Sequence, residues 1–337
     1  FMHYVLEHTA RDVRDRGGFS AVSDDELHAI TQRHVDGYVH EQLNDFQEKS
    51  QRFIYLFRRL GKDVFQIVSD MAAELRRSDF EPLDFELDFS KMSDIPPVEL
   101  GDGDGAVTLT GIADRVDGWL HDGKLYLRVV DYKTGKKSFD LAELRYGLGL
   151  QMLLYLFTLK EEGQMLFGGH EIVPAGVLYT PAREPMLRCA RDTEPETIEK
   201  ALKKELRRSG MVLEDPAVLQ AMEHSALESP CYLPIAVKRD GAVTGSLASA
   251  EQLGKLSKYV DHILHEITQE VFAGNIDADP YARTPQQSAC TYCEFASACH
   301  FENGCGSDRM EYIKATKNDE FWQYIDEVNG EGAHENG

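Results

Sequence analysis

Two aspartates and a lysine, set in two short β-type runs, carry the strongest chemical signal in this chain. The first run is Gly111-Ile-Ala-Asp114-Arg-Val-Asp117 and the second is Asp131-Tyr-Lys133-Thr-Gly135. Side chains two apart on a strand share a face, so Asp131 and Lys133 project together and Tyr132 points the other way. Between the runs, Trp119 to Lys124 reads WLHDGK, and its His-Asp-Gly is a hairpin-type turn. Folding the two strands back on each other brings Asp114 beside Asp131 and Lys133. Two carboxylates and an ammonium at one point make a hard-cation site with a positive group alongside, an arrangement suited to phosphodiester hydrolysis.

Parity separates the aspartates of the first run. Asp114 and Asp117 are an odd number of residues apart, so a regular strand sends them to opposite faces and only one can join Asp131 and Lys133. Strand geometry alone does not choose between them. A lone Asp-x-Lys also fits a solvated strand face with an ion pair, so the weight falls on the elements around it. Downstream, Ser138 to Lys160 (SFDLAELRYGLGLQMLLYLFTLK) predicts a helix capped by Ser138 or Asp140, with Leu141, Leu144, Leu148, Met152, Tyr155 and Leu159 at helical spacing. Gln151 and Tyr155 are four apart and share one face of it. Gly147 and Gly149 lower helix propensity by roughly 1 kcal/mol each; they suit close packing on a sheet or close approach of a ligand backbone. Ile172 to Tyr179 reads as a buried strand. The order is strand, strand, helix, strand, with long helices ahead of it.

With these motifs in this order, the chain resembles the PD-(D/E)XK nuclease superfamily in its RecB-like branch. Within that branch it is most similar to the C-terminal nuclease domain of AddB-type subunits of bacterial helicase–nucleases, over nearly its whole length. Gly-Ile-Ala-Asp114-Arg resembles the family's first acidic motif and Val-Val-Asp131-Tyr-Lys133-Thr-Gly the second. Gln151-Met-Leu-Leu-Tyr155 resembles the Gln-x-x-x-Tyr helix motif that follows. Phe1-Met-His3-Tyr-Val-Leu-Glu7 resembles the end of the opening helix motif, where a histidine joins the metal site. The resemblance implies an α/β fold: a restriction-endonuclease-like core, with a mixed central sheet flanked by helices and large helical additions. It implies Asp114, Asp131 and His3 as ligands of Mg²⁺ or Mn²⁺, with Asp117 outside the site and His8 an ordinary helix histidine. Lys133 would orient or deprotonate the attacking water, or offset charge on the phosphorane, while Gln151 and Tyr155 position the strand. It also implies an AddA-type helicase–nuclease partner, single-stranded DNA ends as substrate, and processing of double-strand ends for recombinational repair by cutting the 5′-ended strand.

Four of the six cysteines crowd into CTYCEFASACHFENGC: Cys290, Cys293, Cys299 and Cys305. No membrane or signal segment precedes them, so a reducing cytoplasm is expected, where clustered thiols bind metal more often than they pair. Cys290-x-x-Cys293 supplies two ligands of one centre and Cys299 a third. Either Cys305 closes a four-thiolate zinc site, or the thiolates hold an iron–sulfur cluster. The resemblance implies the latter, a structural 4Fe–4S cluster whose fourth cysteine lies upstream of the opening helix motif. This chain begins inside that motif and so reads as an excerpt of a longer protein; the excerpt by itself is expected either to lack the cluster or to recruit Cys305. Cys189 and Cys231 read as isolated, buried or half-buried thiols.

With 337 residues and 42% hydrophobic content, the chain can bury a substantial core. No apolar run is long enough to span a membrane. The net charge of −22 argues against loose binding to nucleic acid but allows a narrow basic channel. Candidates for it are Lys133, Lys136, Lys137 and Arg145, whereas Lys203 to Arg208 (KKELRR) reads as a solvated helix face. No Gly-x4-Gly-Lys-Ser/Thr is present, so this segment is not expected to hydrolyse ATP. Four regions are expected: helices over 1–80, the catalytic core over 81–185, a helical addition with the Cys-rich segment over 186–316, and a tail over 317–337 that is disordered at its end. Pro82 to Phe89 reads as an edge strand, Gly101 to Gly105 (GDGDG) as a plain loop, and Ser23 to Glu26 as a helix-capping box. Two other readings remain: a stand-alone RecB-like or CRISPR-associated nuclease, and a non-catalytic DNA-binding scaffold with a cysteine metal staple. The presence together of Asp114, Asp131 and Lys133 favours an enzyme.

Overall fold

Three helices lead the chain into its central sheet: α1 (Met2–Asp15), α2 (Asp24–Leu43) and α3 (Gln51–Leu75). α2 starts at the expected capping box, the Ser23 hydroxyl accepting from the Glu26 amide while the Glu26 carboxylate accepts from the Ser23 amide. Ser50 caps α3 through the Phe53 amide. Val5, Leu6, Ala10 and Val13 of α1, Leu27 and Ile30 of α2, and Val64, Ile67, Val68 and Met71 of α3 form one core, which Phe85 and Tyr132 join. The structure is a computed structural model that describes all residues except 91–94, 101–105, 136, 184 and 333–337.

Strand β1 (Glu81–Asp88) comes next, followed by a short hairpin, β2 (Val98–Leu100) with β3 (Val107–Leu109), and a long one, β4 (Ile112–His121) with β5 (Lys124–Lys133). Asp122 and Gly123 turn the long hairpin with φ of 49° and 77°, the two left-handed residues of a type I′ turn. Then follow α4 (Leu141–Arg145), α5 (Gln151–Glu162), β6 (Glu171–Pro181), α6 (Pro195–Leu206), β7 (Ser209–Leu213), α7 (Pro216–Met222), β8 (Ile235–Val237), β9 (Val243–Gly245), β10 (Leu247–Ala248) and α8 (Ala250–Phe272). The chain closes with β11 (Tyr281–Thr284), β12 (Gln287–Ser288), α9 (Ala296–Cys299), β13 (Glu311–Tyr312) and α10 (Asn318–Gly332).

Two compact units result. The first comprises Phe1–Pro97, Thr110–Phe139 and Tyr155–Leu253. Its six-stranded sheet runs β1-β4-β5-β6-β7-β10, with β5–β6 and β7–β10 parallel and the other neighbours antiparallel. β1 is an edge strand, as its alternation predicts. Its free carbonyls are taken by α1: Arg11 Nη2 donates to the Phe85 oxygen at 2.7 Å and Arg14 Nη1 to the Leu83 oxygen at 2.9 Å. The second unit comprises Val98–Leu109, Asp140–Leu154 and Gly254–Gly337. There Tyr259 donates to the last carbonyls of α4, and Arg283 bonds Asp140 and Glu143.

Several expectations change. The helix predicted over Ser138 to Lys160 is two helices, because Gly147 and Gly149 take left-handed φ of 70° and 71° and break the ladder between α4 and α5. Asp140 caps α4 through the Ala142 amide. The helical addition expected over 186–316 is not all helix, since β7 and β10 extend the central sheet. KKELRR is not one solvated face. Lys203 pairs with Glu199 outside, whereas Arg208 is fully buried against Glu74 and Asp70. Cys189 is exposed rather than buried. Arg145 belongs to the second unit, its guanidinium 4.4 Å over the Tyr324 ring. The tail is helical as far as Gly332. Gly101 to Gly105, Lys136 and residues 333–337 lie outside the described residues. Among the described residues, no helix is long and apolar enough to cross a membrane.

Candidate metal centre

The site forms where the edge strand, the hairpin and the first helix converge. On the β1–β4 ladder Phe85 pairs with Arg115 and Leu87 with Ala113, so Glu86 faces Asp114. Glu86 holds a φ of 50° in mid-strand, a left-handed backbone that costs a residue with a side chain on the order of 1–3 kcal/mol. His3, in the first turn of α1, reaches both acids: Nδ1 lies 3.0 Å from Glu86 Oε1 and 3.4 Å from Asp114 Oδ1. One ligand atom from each of His3, Glu86 and Asp114 lies within 4.8 Å of the others, the only such grouping among the described residues. The second Asp114 oxygen accepts from the Tyr132 amide at 2.7 Å, which locks the carboxylate to β5. Asp131 is not within that 4.8 Å group. On the same face of β5 it holds Lys133, whose Nζ lies 2.7 Å from Asp131 Oδ2 and 5.8 Å from the Tyr179 ring centre.

Burial and close contact of these groups show in their proton affinities. Burial pushes the Asp114 carboxyl up to about 6, and the charges of Asp131 and Glu86 act in the same direction against the Tyr132 amide and His3. The hydrogen bond to Glu86 raises the His3 imidazole above its usual value despite burial, with the charges of Asp114, Glu86 and Asp131 adding to it. Carboxylate oxygens with one imidazole fit a hard divalent cation, and the imidazole biases the set from Mg²⁺ toward Mn²⁺. A cation there would offset the burial and the lesser repulsion that raise Asp114.

Parity divides the two faces of the hairpin as expected. Asp117 is fully buried on the far side, accepting from Arg115 at 3.0 Å and Arg128 at 2.8 Å. Arg128 also lies 3.2 Å from Glu74, and Glu74 accepts from Arg208 at 2.6 Å. Tyr132 points into this layer, its phenol accepting from Arg115 at 2.7 Å and donating to Met71 Sδ at 3.1 Å. Burial pushes that phenol up to about 12. His8 is an ordinary helix histidine, bonded to the Tyr4 carbonyl and stacked on the Tyr4 ring.

The helix-motif residues are placed differently from each other. Tyr155 is buried, stacked on Phe89 at 4.7 Å between ring centres. A Cβ at Gly111 would stand 2.0 Å from its hydroxyl, so the motif glycine is a requirement of packing. Gln151 is exposed at the start of α5. Cys290, Cys293, Cys299 and Cys305 carry free thiols, Cys290 half-buried and the others exposed. The Cys293 amide donates to the Cys290 carbonyl, the tight turn that a Cys-x-x-Cys pair needs. Ligand sulfurs of a tetrahedral zinc site lie about 3.8 Å apart. Among the described residues no three cysteine sulfurs gather within 4.8 Å.

A model of the PD-(D/E)XK nuclease superfamily matches residues 1–300. The chain belongs to this superfamily. Its mixed sheet flanked by helices is the expected PD-(D/E)XK architecture. It is 31% identical over 334 residues to the B-type subunit of the ATP-dependent helicase/deoxyribonuclease of Ruminiclostridium cellulolyticum, covering 97% of this chain and 29% of that protein. The corresponding protein of Acetivibrio thermocellus is 33% identical over 330 residues, 96% of this chain and 28% of that protein. That of Clostridium acetobutylicum is 28% identical over 344 residues, 100% of this chain and 29% of that protein. The chain thus spans under a third of the length of the curated relatives it matches. For this PD-(D/E)XK chain, the structure adds Glu86 to the residues that motif reading finds. In PLDFELDF the polar positions Asp84, Glu86 and Asp88 look alike. Only the strand register, which sets Glu86 against Asp114, distinguishes it.

Proposed function

We propose that this chain is the metal-dependent nuclease domain of an AddB-type helicase–deoxyribonuclease protein and hydrolyses DNA phosphodiesters. One observation carries the reading: an acid–imidazole cluster of His3 on α1, Glu86 on β1 and Asp114 on β4 stands beside β5, the strand that presents Asp131 and Lys133. His3, Glu86 and Asp114, with Asp131 beside them, would hold Mg²⁺ or Mn²⁺. When bound, such a cation lowers the pKa of a water and neutralises the scissile phosphate. The chain's own residues do the rest. The Tyr132 amide fixes one Asp114 oxygen and leaves the other toward His3. Asp131 positions the Lys133 ammonium, which orients the attacking water or offsets charge as it develops on the phosphorus oxygens. Gln151 and Tyr155 would position the strand, Tyr155 through the buried contact with Gly111.

The substrate in this reading is a single-stranded DNA end, cut on the 5′-ended strand during recombinational repair in the cytoplasm. An AddA-type helicase–nuclease is the partner, and ATP hydrolysis lies outside this chain. Cys290, Cys293 and Cys299 would hold a structural 4Fe–4S cluster, with a fourth thiolate from elsewhere or from Cys305. Labelled single-stranded DNA with Mg²⁺ or Mn²⁺, and EDTA as control, tests the activity. Asp131→Ala and Lys133→Ala should each lower cleavage by several powers of ten with the circular dichroism spectrum unchanged. Full activity in either variant removes the assignment.

A further inference from the structure

Cations that are scattered along the sequence meet in one cleft of about 380 Å³ beside Lys133. Lys133 ends β5, Lys137 follows it, Arg183 follows β6, and Lys204 and Arg207 lie at the end of α6. Glu205 is the one acid among the described lining residues, and it accepts from Arg183 at 3.3 Å. Among the described lining residues, five cations against one acid give 5 − 1 = +4, in a chain whose net charge is −22. Arg183 Nε is buried and has no hydrogen-bond acceptor among the described residues. Tyr179, also in the wall, is buried under the Lys133 ammonium and offers no open ring for a base to stack on. Point cations spread along a groove match a repeating chain of phosphates. The acidic remainder of the surface repels the same polymer and confines it to this path.

We propose that this cleft seats the sugar–phosphate backbone of the DNA strand next to the bond being cut. Lys137, Arg183, Lys204 and Arg207 are then positioning residues for the flanking phosphates. The inference rests on the nuclease reading, which makes Lys133 the mark of the scissile position. Contacts to phosphate carry no sequence information, so the cleft fixes register without selecting bases.

The test titrates the full chain, in EDTA and at low salt, with a fluorescent single-stranded oligonucleotide, and repeats the titration across a salt series. Lys204→Gln, and Lys137→Gln combined with it, should weaken binding several-fold. The slope of log K against log salt should become shallower by about 0.7 for each cation removed. Lys203→Gln is the control, one residue away on the same helix with an equal change in charge, but outside the cleft lining and paired with Glu199. Its slope should match the parent. If Lys204→Gln and Lys203→Gln behave alike, the effect is net charge and the proposal is overturned; it is equally overturned if the parent binds no DNA. Neither metal nor cleavage enters this measurement. A failed cleft therefore leaves the hydrolytic site standing, and a parent that binds here but never cuts DNA sinks the hydrolytic reading instead.

Discussion

In the proposed reading, Asp114 is the residue at which proton and cation compete. Its carboxyl has a usual value of 3.8 and is pushed to about 6 in the fold by burial and neighbouring acids. The folded state therefore holds this proton more tightly than the unfolded chain does. The stabilisation is fully present below about pH 4 and is lost as pH rises through about 6, an effect of at most roughly 3 kcal/mol. His3, also raised, acts with the same sign at higher pH. Glu74 has the opposite sign, because its arginine neighbours hold it at about 2 despite burial. Its contribution is lost only as pH falls below its usual 4.5, so it is constant between about pH 5 and 7. Metal-free protein should thus melt at lower temperature at pH 7 than at pH 5. Mn²⁺ should raise the melting temperature more at pH 7, and Asp114→Asn should flatten the difference; calorimetry at the two pH values decides. At this scale the placement was legible. Asp114, Asp131 and Lys133 lie on the two paired strands that their spacing predicts, and the structure brings His3 to Asp114. Glu86 did not, because its role comes from a strand partner rather than from its neighbours in sequence.

Elements were legible where a local rule sets them. The Ser23–Glu26 box, the Asp122-Gly123 turn and the edge strand each follow from a few adjacent residues. The break between α4 and α5 was missed because apolar spacing continues across two glycines whose left-handed backbone only the fold reveals. β7 and β10 are short strands with no alternation long enough to read. The Gly111–Tyr155 contact couples the start of β4 to α5, and it makes a prediction at this scale. Gly111→Ala should cost about 1–3 kcal/mol through overpacking against the Tyr155 ring and hydroxyl. Adding Tyr155→Phe removes the nearest atom and should recover part of that loss. Urea denaturation of both single variants and the double variant closes the cycle. Strict additivity would show that the two residues do not press on each other.

For the molecule as a whole, the cysteine segment and the buried charge layer set the terms. Metal analysis with a visible spectrum distinguishes the readings of Cys290, Cys293, Cys299 and Cys305. The expected outcome is brown protein holding iron and sulfide, whereas colourless protein with one bound zinc would replace the cluster with a closed thiolate site. On the other side of the sheet, Arg115, Arg128 and Arg208 are buried against Glu74, Asp117 and Asp70, an arrangement that composition alone could not foretell. Tyr132 links that layer to the cation face, with its amide on Asp114 and its phenol on Arg115. The proposed cation site is therefore tied to the buried layer through this residue. The Tyr132 amide should exchange with deuterium only when the entire unit unfolds, so that even with no cation bound the proposed centre lasts as long as the native state itself.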